Sequence, residues 1–245
     1  SEKMLLRIRN VLQKTFRMRK PNSLTMRTLL LAAAMLTCLA ARPALCRNSE
    51  PIVPSAPLSN FTLTSADFED PRTLDNLETL CRVWGYAKYH HPVFCDTLRR
   101  VDVDSALFAL LPRVVHADRK TRNRHLLDWV RSLGDYTPNR VECEQALASY
   151  DLVGTADLGW TADTVLLGGE LSHLLQDLRY AERDENYYLR MGTMENELGY
   201  RYLSLRNEKS YPTPQMDNGL NLLTLFRLWN VIEYYAPNRS LTLHP

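Results

Sequence analysis

Apolar side chains recur at helical spacing over the first organised stretch of the chain. Leu74, Leu77, Leu80, Cys81, Trp84 and Ala87 fall on one face. Asp70-Pro71 reads as the start of this helix, with Asp as N-cap and Pro at the first helical position. Pro92 ends it, because the residue before a proline resists the α conformation. "DSALFALLPRVVHA" predicts a second helix, capped by Asp102 or Asp104, with a kink or stop near Pro112. "TRNRHLLDWVRSLG" predicts a third, packing Leu126, Leu127, Val130 and Leu133 and closing at Gly134.

Beyond Gly134 the periodicity weakens. A short helix is expected around Val141–Ala148, and another from about Glu170 to Tyr180 after the Gly168-Gly169 break. "NYYLRMG" and "YRYLSLR" alternate with aromatic residues and read as two short paired strands. "EKSYPTPQMDNG" is a loop by its prolines and Asn-Gly. A last helix follows, capped by Asp217 or Asn218 and stopped before Pro237. The expected fold class is mainly α with a small β element. A helical subdomain over about 70–134 precedes an α+β segment over 135–245, which ends in a second Trp-anchored helix.

That last helix repeats the first. "NLETLCRVWGYAKYHHP" (76–92) and "NLLTLFRLWNVIEYYAP" (221–237) align without a gap, and eight of seventeen positions are identical. Leu77, Leu80 and Trp84, like Leu222, Leu225 and Trp229, form one helical stripe; Arg82 and Arg227 lie off it by their spacing. Tyr89/Tyr234 and Pro92/Pro237 complete the shared set. Lys88 faces Glu233, His90 faces Tyr235 and His91 faces Ala236, exchanges that a catalytic role would not survive in both copies. The repeat therefore reads as a packing motif, explained by gene duplication or by pseudo-twofold packing.

Charge changes the picture once the N-terminus is set apart. The whole chain carries a net +2, but residues 1–46 hold nine basic side chains and one acid. The remainder is acidic, with 21 basic against 27 acidic residues. The basic face expected of a nucleic-acid binder is absent, so nucleic acid is not expected as a partner. Residues 1–46 read as a leader: a basic start at Met26, an apolar run Leu29–Ala41, then small residues up to Cys46. The run is short for a transmembrane helix, so membrane contact is expected only through the leader or through lipid on Cys38 or Cys46. Export to the periplasm or cell envelope follows, with cleavage after Cys46, and residues 47–69 read as a linker. Three cysteines remain, Cys81, Cys95 and Cys143. The odd count without CxxC speaks against a disulfide framework and a zinc site; a Cys81–Cys95 bridge stays open beside the favoured reading of free thiols.

Other chemistry is thin, and no cofactor or metal is called for. His90 and His91 point about 100° apart on a helix and do not readily share an ion. They read as solvated or helix-end side chains of little structural weight. His116 and His125 lack an HxxxH partner. Asp184, Glu185, Glu195 and Glu197 read as a solvated surface, and Gly168-Gly169 lacks the pattern of a phosphate loop.

The phrases "LCRVWGYAKYHHP", "LFALLPRVV", "LGGELSHLL", "NEKSYP" and "LLTLFRLWNVIEYYAP" resemble the N-terminal, non-catalytic region of bacterial tail-specific (C-terminal-processing) serine peptidases, in the style of the exported Bacteroidetes-type branch. The resemblance covers about residues 70–240. It implies an accessory domain whose polypeptide substrate is cleaved by a separate C-terminal peptidase domain, through a Ser nucleophile and a Lys base. No catalytic residue transfers. Lys88, Lys120 and Lys209 are the only lysines after the leader, and none follows a Ser in a small-residue turn opening a helix. The chain reads as a fragment that stops before the peptidase domain; the alternative is a free-standing periplasmic interaction or binding module.

Overall fold

The structure, a computed structural model, describes residues 59–95, 101–148, 156–193, 201–211 and 217–235. It is mainly helical with a small two-stranded antiparallel sheet. Seven helices are described: α1 (Pro71–His90), α2 (Val103–Val114), α3 (Arg119–Ser132), α4 (Arg140–Ala148), α5 (Thr164–Leu167), α6 (Gly169–Leu178) and α7 (Asn218–Tyr235). Strands β1 (Leu189–Thr193) and β2 (Arg201–Leu205) pair with Leu189 opposite Leu205.

Aspartates start most of these helices. Asp70 accepts from the Arg72 and Thr73 amides, Asp102 from Ser105, Asp118 from Thr121, and Asp163 from Val165 and Leu166. Asp217 does the same for Leu220 at the head of α7. Each such cap satisfies an otherwise orphan amide and contributes about 1 kcal/mol. Pro112 lies inside the last turn of α2, which ends two residues later. Gly134 takes a φ of 114°, a left-handed conformation that closes α3 without a Cβ penalty.

Helix α1 is the centre of the molecule, with all faces covered. It packs on α2, α3 and α7, and the Tyr86 hydroxyl donates to the Leu175 carbonyl of α6 at 3.1 Å. The β-hairpin is pinned to the end of α1: Tyr187 N–H donates to the Phe94 carbonyl (2.7 Å) and Asn186 Nδ2 to the Lys88 carbonyl (2.9 Å). One cluster of buried apolar side chains runs from Phe61 to Phe226.

The segment read as a linker is docked from Ser59 onward. Phe61 and Phe68 enter the core, Ser59 Oγ donates to Asp217 (2.7 Å), and Leu63 N–H donates to Asn218 Oδ1 (2.9 Å). A Cβ on Gly219 would sit 2.0 Å from Ser59 Oγ, so this glycine permits the close approach. Cys81, Cys95 and Cys143 are free thiols. Among the described residues no helix is long and apolar enough to cross a membrane. The leader 1–46 lies outside them, as do Glu195, Glu197 and Pro237.

Candidate functional site

The two copies of the repeat are brought face to face. Contacts step down α1 and α7 in the same direction: Trp84 with Phe226 (ring centroids 6.3 Å), Gly85 with Asn230, and Tyr89 with Tyr234 and Tyr235 (6.1 and 5.3 Å). The helices are therefore parallel and nearly in register, as pseudo-twofold packing requires. Gly85 and Asn230 occupy equivalent positions in the repeat, and there the copies differ in a complementary way. A Cβ on Gly85 would lie 1.9 Å from Asn230 Oδ1; the missing side chain of one copy is the hole for the other's amide. Asn230 Nδ2 donates to the Cys81 carbonyl (3.1 Å) across the junction and to Phe226 (2.8 Å) within its own helix.

A charged network lies beside this junction. Lys88, fully buried, donates to Glu208 in the loop after β2. Arg227 Nε lies 2.9 Å from the other Glu208 oxygen, and Arg227 Nη2 bonds Asp104 of α2 at 2.6 Å. The Tyr211 hydroxyl donates to the same Asp104 oxygen at 2.9 Å. The Lys88 ammonium is ringed by Tyr188 (4.2 Å), Trp84 (5.1 Å) and Tyr89 (5.5 Å), faces that favour a cation. Burial pulls the Lys88 pKa below its ordinary value, and Glu208 opposes that pull. Two cations and two carboxylates balance, which lets this set sit in the interior. Among the described residues Glu208 is the one hydrogen-bond partner of the Lys88 ammonium, and no hydroxyl or thiol of theirs bonds it.

The two histidines at the end of α1 carry more structural weight than their sequence suggested. His91 is buried; its Nδ1 accepts from Val93 N–H (3.2 Å) and its Nε2–H donates to the Gly134 carbonyl (3.2 Å). Nδ1 thereby caps the short turn after α1, and Nε2 ties the end of α1 to the end of α3. His90 donates from Nδ1 to the Tyr86 carbonyl (2.9 Å) and stacks on the Tyr86 ring at 4.0 Å. Burial, with Arg183 adding to it, pushes the His90 imidazole down to about 3. Among the described residues no group of His, Cys, Asp and Glu is arranged to hold a metal ion.

In the first copy the stripe lies on a helix that is buried on nearly every side. Leu77, Leu80 and Trp84 are completely buried, Tyr89 nearly so, and Pro92 opens a short 3-10 turn. In the second copy Leu222 is buried, whereas Leu225, Trp229 and Tyr234 are only partly covered. The inward face of α7 is Leu222, Leu223, Phe226 and Asn230, which meets α1 and, less extensively, α2, while Leu225 and Trp229 pack at the edge of the core. Arg82, off the stripe as expected, bonds Glu78 one turn back at 2.7 Å and lies 5.8 Å from the Trp160 ring. Glu185 pairs with Arg206 at 3.3 Å. Two open grooves, of about 510 and 670 Å³, lie between α3 and α6 and beside the start of α4; the first is lined by Gly134 and Tyr136, which touch His91.

Sequence reasoning missed the charge network, in which Lys88 and Glu208, and Asp104 and Arg227, are more than a hundred residues apart in the chain. The exchange of Gly85 for Asn230 within an otherwise matched repeat was the available signal for the junction. Comparison with protein-family models, curated proteins and solved structures gives no match.

Proposed function

We propose that this chain is a non-catalytic accessory domain of an exported C-terminal-processing serine peptidase, which supports proteolysis of polypeptides by a separate catalytic domain. The carrying observation is the fate of the repeat. Its chemistry-bearing side chains are spent on holding α1 to its neighbours, and Lys88, the cation nearest to a general base, is buried against Glu208, with no Ser, Thr or Cys bonded to it among the described residues. A Ser/Lys dyad needs a lysine that meets both a hydroxyl and a substrate. The phrases shared with that peptidase family supply the rest of the reading, and the leader supplies the export.

Two measurements test it. The purified 245-residue chain should leave casein and unstructured peptides intact; cleavage abolished by one Ser substitution would overturn the reading. Reading the coding DNA past codon 245 should reveal a continuation with a Ser…Lys peptidase domain. A stop codon there would favour the second reading, a free-standing interaction module, for which the exposed Leu228 and Ile232 on α7 are the supporting observation.

A further inference from the structure

The repeat places the same residues on α1 and α7, but among the described residues only the Asn and Trp of α1 grip another helix. Trp84 Nε1 donates to the Val103 carbonyl at the start of α2 (2.8 Å). Two turns earlier, Asn76 Nδ2 donates to the Val115 and Ala117 carbonyls at its end (3.0 and 2.9 Å). These two donors fix α2 antiparallel to α1, since the later residue of α1 grips the earlier end of α2. Between them Leu80, Val83 and Ala87 are completely buried. Orphan carbonyls at a helix end must be satisfied, and Asn76 does this for α2.

In the second copy the same set is only partly covered: Leu225 and Trp229 pack at the edge of the core, and Leu228 stands out from it. Asn221 and Trp229 are the exact counterparts of Asn76 and Trp84, and among the described residues their side chains make no hydrogen bond. The intervening face bears Leu225, Leu228 and Ile232, the counterparts of Leu80, Val83 and Ala87. Leu228 is 59% exposed and Ile232 37%, against none for Val83 and Ala87. A stripe of spacing three and four on an otherwise docked helix is the mark of a second packing face.

We infer that the outer face of α7 is a docking site for one amphipathic helix of the α2 type, laid antiparallel. Its first-turn carbonyl would meet the Trp229 indole, its C-terminal carbonyls the Asn221 amide, and its leucine stripe Leu225, Leu228 and Ile232. The internal copy states the chemistry of the occupant: α2 presents Val103, Leu107, Leu111 and Val114, all buried, behind an aspartate cap. This inference stands whether or not the chain serves a peptidase.

The probe is a synthetic peptide of residues 102–117, DVDSALFALLPRVVHA, helix-constrained and labelled, titrated into the 245-residue chain with fluorescence anisotropy. Saturable binding is expected, weakened at least about tenfold by Leu228→Arg and by Asn221→Leu. The thermal melt of Leu228→Arg should match the wild type, because its side chain is largely in water. A peptide with Leu107→Asp and Leu111→Asp should not bind. Equal affinity for wild type and Leu228→Arg would mean that the peptide displaces α2 from its own place, and the inference fails. Absence of binding up to about 1 mM also overturns it. So does self-association of the chain that Leu228→Arg abolishes, since the occupant would then be a second copy.

Discussion

Gly85 and Asn230 meet at the one point where the repeated helices touch backbone to side chain. The amide fills the volume that any Cβ would need. Overpacking of this kind costs about 1–3 kcal/mol, so Gly85→Ala is expected to lower stability by that amount in urea melts. Asn230→Ala should then recover most of the loss when added to Gly85→Ala, a coupling that a double-mutant cycle isolates. A Gly85→Ala chain as stable as wild type would show that the helices do not approach this closely. His90 carries a second expectation. Its folded pKa of about 3 lies below the ordinary value of 6.5, so the unfolded state binds the proton more readily. The stability this group contributes is complete above pH 6.5 and is lost as the pH falls towards 3. Between pH 6.5 and 4.5 the loss is on the order of 2 kcal/mol. His90→Phe keeps an aromatic face on Tyr86 and removes the titration; its melts at the two pH values should differ by less than those of wild type. An unchanged difference would place the acid sensitivity elsewhere.

Helices α1 and α7 share a sentence but not a burden. Trp84 is fully buried and hydrogen-bonded, while Trp229 is partly covered. Trp84→Ala should therefore cost about 3–5 kcal/mol, and Trp229→Ala clearly less. Equal losses would mean that α7 is covered as fully as α1. The charged network gives the sheet loop its hold on both helices. Lys88→Ala leaves Glu208 beside the apolar end of α1 and should cost about 3 kcal/mol. Lys88→Met combined with Glu208→Gln should cost less, because no unmatched charge remains. Much of this architecture was legible in the sequence at the level of elements. The Asp70-Pro71 start, the Asp102 cap, the Gly134 stop and the alternation in "NYYLRMG" are local signals, set by capping and periodicity within a few residues. The pairing of α1 with α7 was foreshadowed by identity between the copies. The charges were not legible, because Lys88–Glu208 and Asp104–Arg227 are chosen by tertiary packing, and no local pattern marks a lysine for burial. The burial of His91 was not legible for the same reason: its partner Gly134 lies 43 residues on, just beyond the end of α3. Reading the repeat for its differences would have gone further than reading it for its identities.

At the scale of the whole molecule, the division into a helical part over 70–134 and a mixed part over 135–245 meets a single apolar cluster. Contacts of several kinds cross that division. Asn230 sits in the Gly85 gap, Arg227 binds Asp104 on α2, and Tyr86 reaches the Leu175 carbonyl on α6. Ser59 and Leu63, from the segment ahead of α1, tie the start of α7 to the same body. Removing the second part would expose Cys81, Tyr86 and Tyr89 on α1 to water and leave Asp104 without Arg227. Burial of apolar surface on that scale outweighs what either part could gain alone, so the two should unfold together. In the 245-residue chain, urea transitions followed by tryptophan fluorescence and by far-ultraviolet circular dichroism are expected to coincide. Trp84 and Trp129 report mainly on the first part and Trp160 and Trp229 on the second, so each part contributes to the emission. Coincident midpoints and one slope are the signature of a two-state transition. Native-state hydrogen exchange adds the spatial detail: the α1 amides should open only with global unfolding, and those on the outer face of α7 by smaller fluctuations. Two separated transitions, or α1 amides that exchange well before the global limit, would mean that the parts fold independently and that the junction at Gly85 only docks them.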